Sequence, residues 1–99
     1  MIKLSVATKE DFEEYLVTNE TYVSTHIVAV IEKNLKTSKR FIPMFEVELV
    51  DEGEILDITI DRKNFIETLQ TNLIILERNE QYETCGKVLQ LISQIQINK

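Results

Sequence analysis

The segment from Phe45 to Ile60 constrains the fold more than any other part of the chain. It reads Phe-Glu-Val-Glu-Leu-Val, then Asp-Glu-Gly-Glu, then Ile-Leu-Asp-Ile-Thr-Ile. Apolar and polar residues alternate on both arms, which is the period of a strand with one buried face. The pattern predicts a β-hairpin with arms over 44–50 and 55–60. Pairing Val50 with Ile55 sets Leu49 opposite Leu56, Glu48 opposite Asp57, Val47 opposite Ile58 and Phe45 opposite Ile60. A slip of one residue would set Glu48 against Leu56, so the buried face forbids it. The turn must therefore be even in length, either Glu52-Gly53 or Asp51 to Glu54, with Gly53 supplying the positive φ.

Helices are expected on either side. Ile2, Leu4 and Val6 alternate with Lys3 and Ser5, a short strand over 2–6 that can join the hairpin. Thr8 is an N-cap followed by an acidic first turn, where the helix dipole favours negative charge. Phe12, Leu16, Val23, Ile27, Val30 and Ile31 continue at helical spacing, broken by Thr18-Asn19-Glu20-Thr21. Residues 22–32 are rich in β-branched side chains, so a strand competes with a helix there. The helical stripe is the cleaner pattern. Thr37-Ser38-Lys39-Arg40 is a polar connection, and Pro43 sits where a strand tolerates a missing donor. Asp61 reads as the N-cap of a helix carrying Phe65, Ile66, Leu69, Leu73 and Leu76. Tyr82, Cys85, Val88, Leu89, Ile92 and Ile95 mark another. Together they predict an αα-hairpin over 62–78 and 81–96. Gly86, beside the small Cys85, suggests a close approach of two helices. The expectation is a single α+β domain over 1–99: a small antiparallel sheet packed against helices, in the order β-α-α-β-β-α-α.

Composition limits the chemistry. Two glycines and one proline in 99 residues favour long elements and short loops. Gly53 and Gly86 are too far apart to form a phosphate-binding loop. His26 and Cys85 cannot by themselves hold a metal tetrahedrally, and neither has a partner that signals nucleophilic chemistry. Glu10, Asp11, Glu13 and Glu14 read as a solvated helix turn rather than a buried acid–base pair. The chain is therefore expected to be no enzyme and to carry no cofactor or metal. A lone cysteine, no recognisable signal peptide and no run of 18 apolar residues place it in the cytoplasm, away from membranes. A net charge of −6 disfavours direct binding to nucleic acid. Lys33, Lys36, Lys39 and Arg40 cluster against that trend. They fit a solvated helix end, with a patch for phosphate or an acidic partner as the alternative.

The carboxylates of the hairpin, Glu46, Glu48, Asp51, Glu52, Glu54 and Asp57, are the candidate partner-binding residues. Like charges opposed across a ladder destabilise it by a few tenths to about 1 kcal/mol. Lys3 on the N-terminal strand could offset them, and charges also keep an edge strand from aggregating. Alternatively, they serve to recognise a basic protein surface. In one form of that reading they mimic a nucleic-acid backbone and inhibit its binding protein. Small size and acidity suit an accessory protein of a phage or mobile element, or an immunity-type inhibitor. Self-assembly is the other expectation, as a homo-oligomer or adaptor subunit joined through Leu91, Ile95 and Ile97. Finally, Leu76 to Gly86 (Leu-Glu-Arg-Asn-Glu-Gln-Tyr-Glu-Thr-Cys-Gly) resembles the UVR motif of excision-repair subunits. That resemblance implies an αα-hairpin serving protein–protein contact. Where the motif continues Arg-Asp, this chain has Lys87-Val88.

Overall fold

A computed structural model describes residues 1–97. Strand β1 (Ile2–Val6) leads to helices α1 (Lys9–Thr18) and α2 (Glu20–Lys33). Strands β2 (Phe41–Leu49) and β3 (Glu54–Asp61) follow, then helices α3 (Phe65–Arg78) and α4 (Tyr82–Ile97). The fold is α+β, and residues 22–32 are helical. The hairpin is antiparallel as its pattern requires. The N-terminal strand joins it in parallel, so the sheet is mixed, with order β1-β2-β3 and β2 at its centre.

Local chemistry accounts for the helix ends. Thr8 Oγ1 accepts from the Asp11 amide at 3.3 Å, and the Thr8 amide donates to Asp11 Oδ2 at 3.2 Å. This reciprocal pair is a capping box. Asp61 caps a short 3₁₀ turn, Arg62–Asn64, by accepting from the Lys63 amide at 3.1 Å. Between α3 and α4 the amides of Gln81 and Glu80 bond back to the carbonyls of Leu76 and Glu77. These are the paired bonds of a Schellman motif. The left-handed position falls on Glu80, with φ of 57°, where glycine would be unstrained.

All four helices contribute to one core. Ile31, Ile42, Val47, Leu49, Leu69, Leu76 and Val88 are almost fully excluded from solvent, each contributing roughly 1.5–3 kcal/mol by burial. Phe12 of α1 meets Phe45 of β2 edge to face, with ring centroids 5.8 Å apart. Glu20, at the start of α2, holds the end of α3 by accepting from Asn79 Nδ2 at 2.9 Å and Arg78 Nη2 at 2.6 Å.

The hairpin register differs from the one expected. Leu49 faces Glu54, Glu48 faces Ile55, Val47 faces Leu56, Glu46 faces Asp57 and Phe45 faces Ile58. The turn is Val50–Gly53, still even, with Gly53 left-handed at φ of 64°. Val50 leaves the ladder because the Val50–Glu52 segment coils into a 3₁₀ turn whose Asp51 amide donates to the Ala7 carbonyl at 2.9 Å. The slide amounts to two residues in the pairing, so each side chain keeps its expected face. A bulge then re-phases β2 between Pro43 and Phe45. Both Met44 and Phe45 are buried there, and the Met44 carbonyl accepts from His26 Nε2 at 3.2 Å. Pro43 lies inside β2 rather than ahead of it. Its missing donor is tolerated because β1 pairs only with Phe45 to Leu49 and does not reach it.

Gly86 is not a point of close helix approach. It is exposed, and a Cβ built on it would meet nothing within 4 Å. Gly86 and Glu80 therefore each sit where the other residue type would serve better. Gly86→Ala should raise stability by about 1 kcal/mol, and Glu80→Gly by about the same through relief of the left-handed backbone. Urea unfolding of the two single variants checks both.

Hydrogen bonds from Asn79 and Arg78, with the Arg78 charge, outweigh desolvation and hold the Glu20 carboxyl below its ordinary value of 4.5. A depressed folded-state pKa stabilises the fold above the unfolded value, and that contribution is lost as pH falls through the folded one. Acid should therefore weaken the α2–α3 contact below about pH 4.5. Glu20→Gln should flatten this part of the stability–pH profile, as read by thermal melts across the acid range.

Candidate functional site

One face of the sheet is covered by helices and the other is open. Lys3 and Ser5 of β1, Glu46 and Glu48 of β2, and Ile55, Asp57 and Thr59 of β3 point to the open side; all are exposed except the half-buried Glu46. The expected opposition of Glu48 to Asp57 does not form, because the register has slid. Glu46 faces Asp57 instead, and Lys3 stands on the other side of Glu46. A cation thus borders the like-charged pair, though among the described residues Lys3 makes no ion pair. Glu48 has its own donor, the Ser5 hydroxyl, at 3.0 Å.

The other three carboxylates cluster at the turn. Asp51, Glu52 and Glu54 are exposed at one end of the hairpin. The Asp51–Ala7 bond brings this turn against the start of α1, where the Lys9 amide donates to Glu52 Oε2 at 3.3 Å. Glu52 therefore supplies an acceptor to the positive end of a helix distant from it in sequence. The contact also places the acidic turn beside Glu10 and Asp11. Sequence reasoning treated these as two separate acidic groups; in the fold they form one acidic pole. Two aliphatic side chains lie within it, Val50 at 58% and Ile55 at 64% exposure.

The opposite end of β2 is basic. A nine-residue strand separates the two ends by roughly 26 Å. Lys33 ends α2, Lys36, Lys39 and Arg40 come from the α2–β2 connection, and Arg62 and Lys63 from the 3₁₀ turn after β3. Arg40 and Lys63 both reach Asp61, at 3.5 and 3.9 Å. Arg62 organises the connection. It donates through Nε to the Lys39 carbonyl at 2.6 Å, and through Nη2 to the Asn34 carbonyl and Thr37 Oγ1, both at 2.8 Å. Nη1 adds a weaker bond to the Leu35 carbonyl at 3.4 Å, and the guanidinium lies 5.0 Å from the centroid of the Phe65 ring. All of these acceptors are neutral.

The remaining residues singled out from sequence lie apart. His26 is half-buried and satisfied at the β2 bulge, and Cys85 is buried on α4. No three His, Cys, Asp or Glu among the described residues are placed to hold a metal ion. The proposed self-contact on α4 needs correction. Leu91 is buried in the core, because its position continues the stripe of Cys85 and Val88, and Ile95 is half-buried. The apolar residues α4 exposes are Tyr82, Leu89 and Ile97. No helix among the described residues is long and apolar enough to cross a membrane. Residues 76–86 do form the end of α3, its turn and the start of α4. The chain matches no known family, no curated protein and no solved structure.

Arg62 carries more of the local structure than its exposed neighbours. Arg62→Lys keeps the charge but loses the fork that reaches four acceptors at once. It should destabilise the protein by about 2 kcal/mol. It should also speed amide hydrogen exchange across 34–40 ahead of the helices, a pattern that exchange mass spectrometry resolves.

Proposed function

We propose that this chain is a non-enzymatic protein-binding module whose acidic pole receives a basic surface of a protein partner. The contiguity of the pole carries the reading. Asp51 and Glu52 lie at the turn that continues β2 past Glu48, and on the open face Glu46 stands opposite Asp57; Glu54, paired with the buried Leu49, projects from the same end toward the helix side. Exposed Ile55, opposite Glu48, and exposed Val50, next to Asp51 in the chain, supply apolar contact at the same end. Protein interfaces commonly combine these parts, with apolar residues near the centre and polar residues around them. The sheet and short turn that carry these carboxylates are already ordered, so binding costs side-chain freedom but little backbone freedom. The carboxylates steer an oppositely charged partner through the field, an effect that weakens with salt.

An accessory or inhibitor role fits a module of this kind, since occupying a surface needs no chemistry. A nucleic-acid-binding protein is one class of partner with such a surface, the carboxylates then standing where phosphates would.

The test uses the tagged chain and a triple variant, Asp51→Asn, Glu54→Gln and Asp57→Asn, to capture proteins from a lysate of the source cell. These three carboxylates have no hydrogen-bond partner among the described residues, so the variant should fold. The expected result is a partner held by the parent chain and lost at about 0.5 M salt. Its association rate should fall at least about tenfold with the variant. Capture that is indifferent to both the triple variant and salt overturns the reading. If the partner binds DNA, added duplex should compete for it.

A further inference from the structure

The basic pole contains a cleft with a built interior. It is open to solvent on one side and offers about 680 Å³, within the range of roughly 300–1,000 Å³ common for small-molecule sites. Its apolar lining comes from Leu35, Phe65, Ile66 and Ile95, brought together from the α2–β2 connection, α3 and α4. Leu35 and Ile95 are half-buried and packed on the core. Ile66 is half-buried too but lies outside the core cluster, so its side chain serves the cleft wall.

The charges around this lining are unbalanced. Lys36, Arg62 and Lys63 line the cleft against a single carboxylate, Glu67. Lys63 has only the long contact to Asp61, at 3.9 Å. Arg62 is the informative member. Its guanidinium is half-buried and held by carbonyls and a hydroxyl, with no carboxylate within salt-bridge distance among the described residues. Four of its N–H groups have acceptors, but among the described residues its charge has no counter-ion. One of the five guanidinium N–H groups, on Nη1, also lacks an acceptor.

The start of α3 adds a second source of positive potential. The cleft is lined by Arg62 and Lys63 of the 3₁₀ turn and by Phe65, Ile66 and Glu67 of the first turn of α3, the helix that runs to Arg78. Asn64 at its N-cap makes no side-chain capping bond. A helix start of this kind favours an anion, and here it opens beside a cationic, partly apolar wall.

We propose that this cleft binds a small amphiphilic anion: a free organic carboxylate with an aliphatic or aromatic body. The body would lie on Leu35, Phe65, Ile66 and Ile95, and the carboxylate would face Arg62, with Lys36 and Lys63 at the rim. Charge complementarity selects this occupant over a neutral or cationic amphiphile, which would leave Arg62 uncompensated and further desolvated. The site is separate from the acidic pole and stands whether or not that pole binds a protein.

The probe is sodium decanoate, kept in its monomeric range and followed by amide chemical shifts of the whole chain. Decyltrimethylammonium serves as the cationic control, and phosphatidylglycerol vesicles test for a membrane instead. Decanoate should give saturable shifts at Leu35, Ile66 and Ile95 with a Kd below about 1 mM. The cation should bind at least about tenfold more weakly. The double variant Lys36→Glu, Lys63→Glu changes two exposed side chains and leaves the Arg62 contacts in place. It should lose decanoate affinity by about tenfold or more. Three results would overturn the proposal: no saturable shift with decanoate, equal affinity for the cationic amphiphile, or binding to vesicles without binding to monomeric decanoate. Should the double variant fail to fold, the comparison of the two amphiphiles on the parent chain still decides.

Discussion

The parallel pairing of β1 along β2 is the constraint from which the rest of the structure follows. It makes β2 the central strand and turns an otherwise marginal hairpin into a three-stranded sheet. It also forces the chain between β1 and β2 to cross one face, and α1 and α2 are that crossing. The crossing carries Phe12 and His26 onto Phe45, so the apolar side of the sheet is fixed by the same event. It leaves Ala7 next to the β2–β3 turn, where the Asp51 amide finds the Ala7 carbonyl. The hairpin register is thus set from outside the hairpin.

This explains which parts of the fold the residue pattern could disclose. Strand period is two, so Glu48 and Asp57 were bound to face outward and Val47 and Ile58 inward in any permitted register. The register itself was not disclosed, because sliding the pairing by two residues preserves every face. Counting Val50 as a ladder residue was the natural error. Its side chain is apolar, but the 3₁₀ turn needs its backbone and leaves the side chain 58% exposed. The bulge at Met44 was equally hidden, since two consecutive buried residues in a strand resemble mere irregularity. The start of α1 was more legible because its signal is local, Thr8 with Asp11; Asp61 also caps, but what it caps is a 3₁₀ turn, and α3 begins three residues later than the residue pattern suggests, at Phe65.

The basic pole was only partly visible in sequence. Lys33, Lys36, Lys39 and Arg40 announced themselves by proximity, whereas Arg62 and Lys63 come from a different segment. A signal did exist: two cations directly after an N-cap oppose the helix dipole. Such a misfit is tolerated when the side chain has work elsewhere. Arg62 turns back from the start of α3 to hold the α2–β2 connection, four acceptors at once. A residue that breaks a local electrostatic rule was the pointer to a long-range contact.

The net charge of −6 conceals how the charges are arranged. Because β2 is central and nine residues long, its two ends collect different partners: the acidic turn and the start of α1 at one, the α2–β2 and β3–α3 connections at the other. An approaching macromolecule experiences a dipole rather than a uniform negative field. At a distance beyond roughly 8 Å in physiological salt most of that field is screened, so the dipole acts mainly on the final orientation of a partner. A basic surface of the kind proposed above would be drawn to the turn and repelled from the Arg62 end, which would restrict the poses available to it. On both proposals, a partner held at the acidic pole would leave the cleft beside Arg62 open to small anions, because a basic surface is the one the basic pole repels.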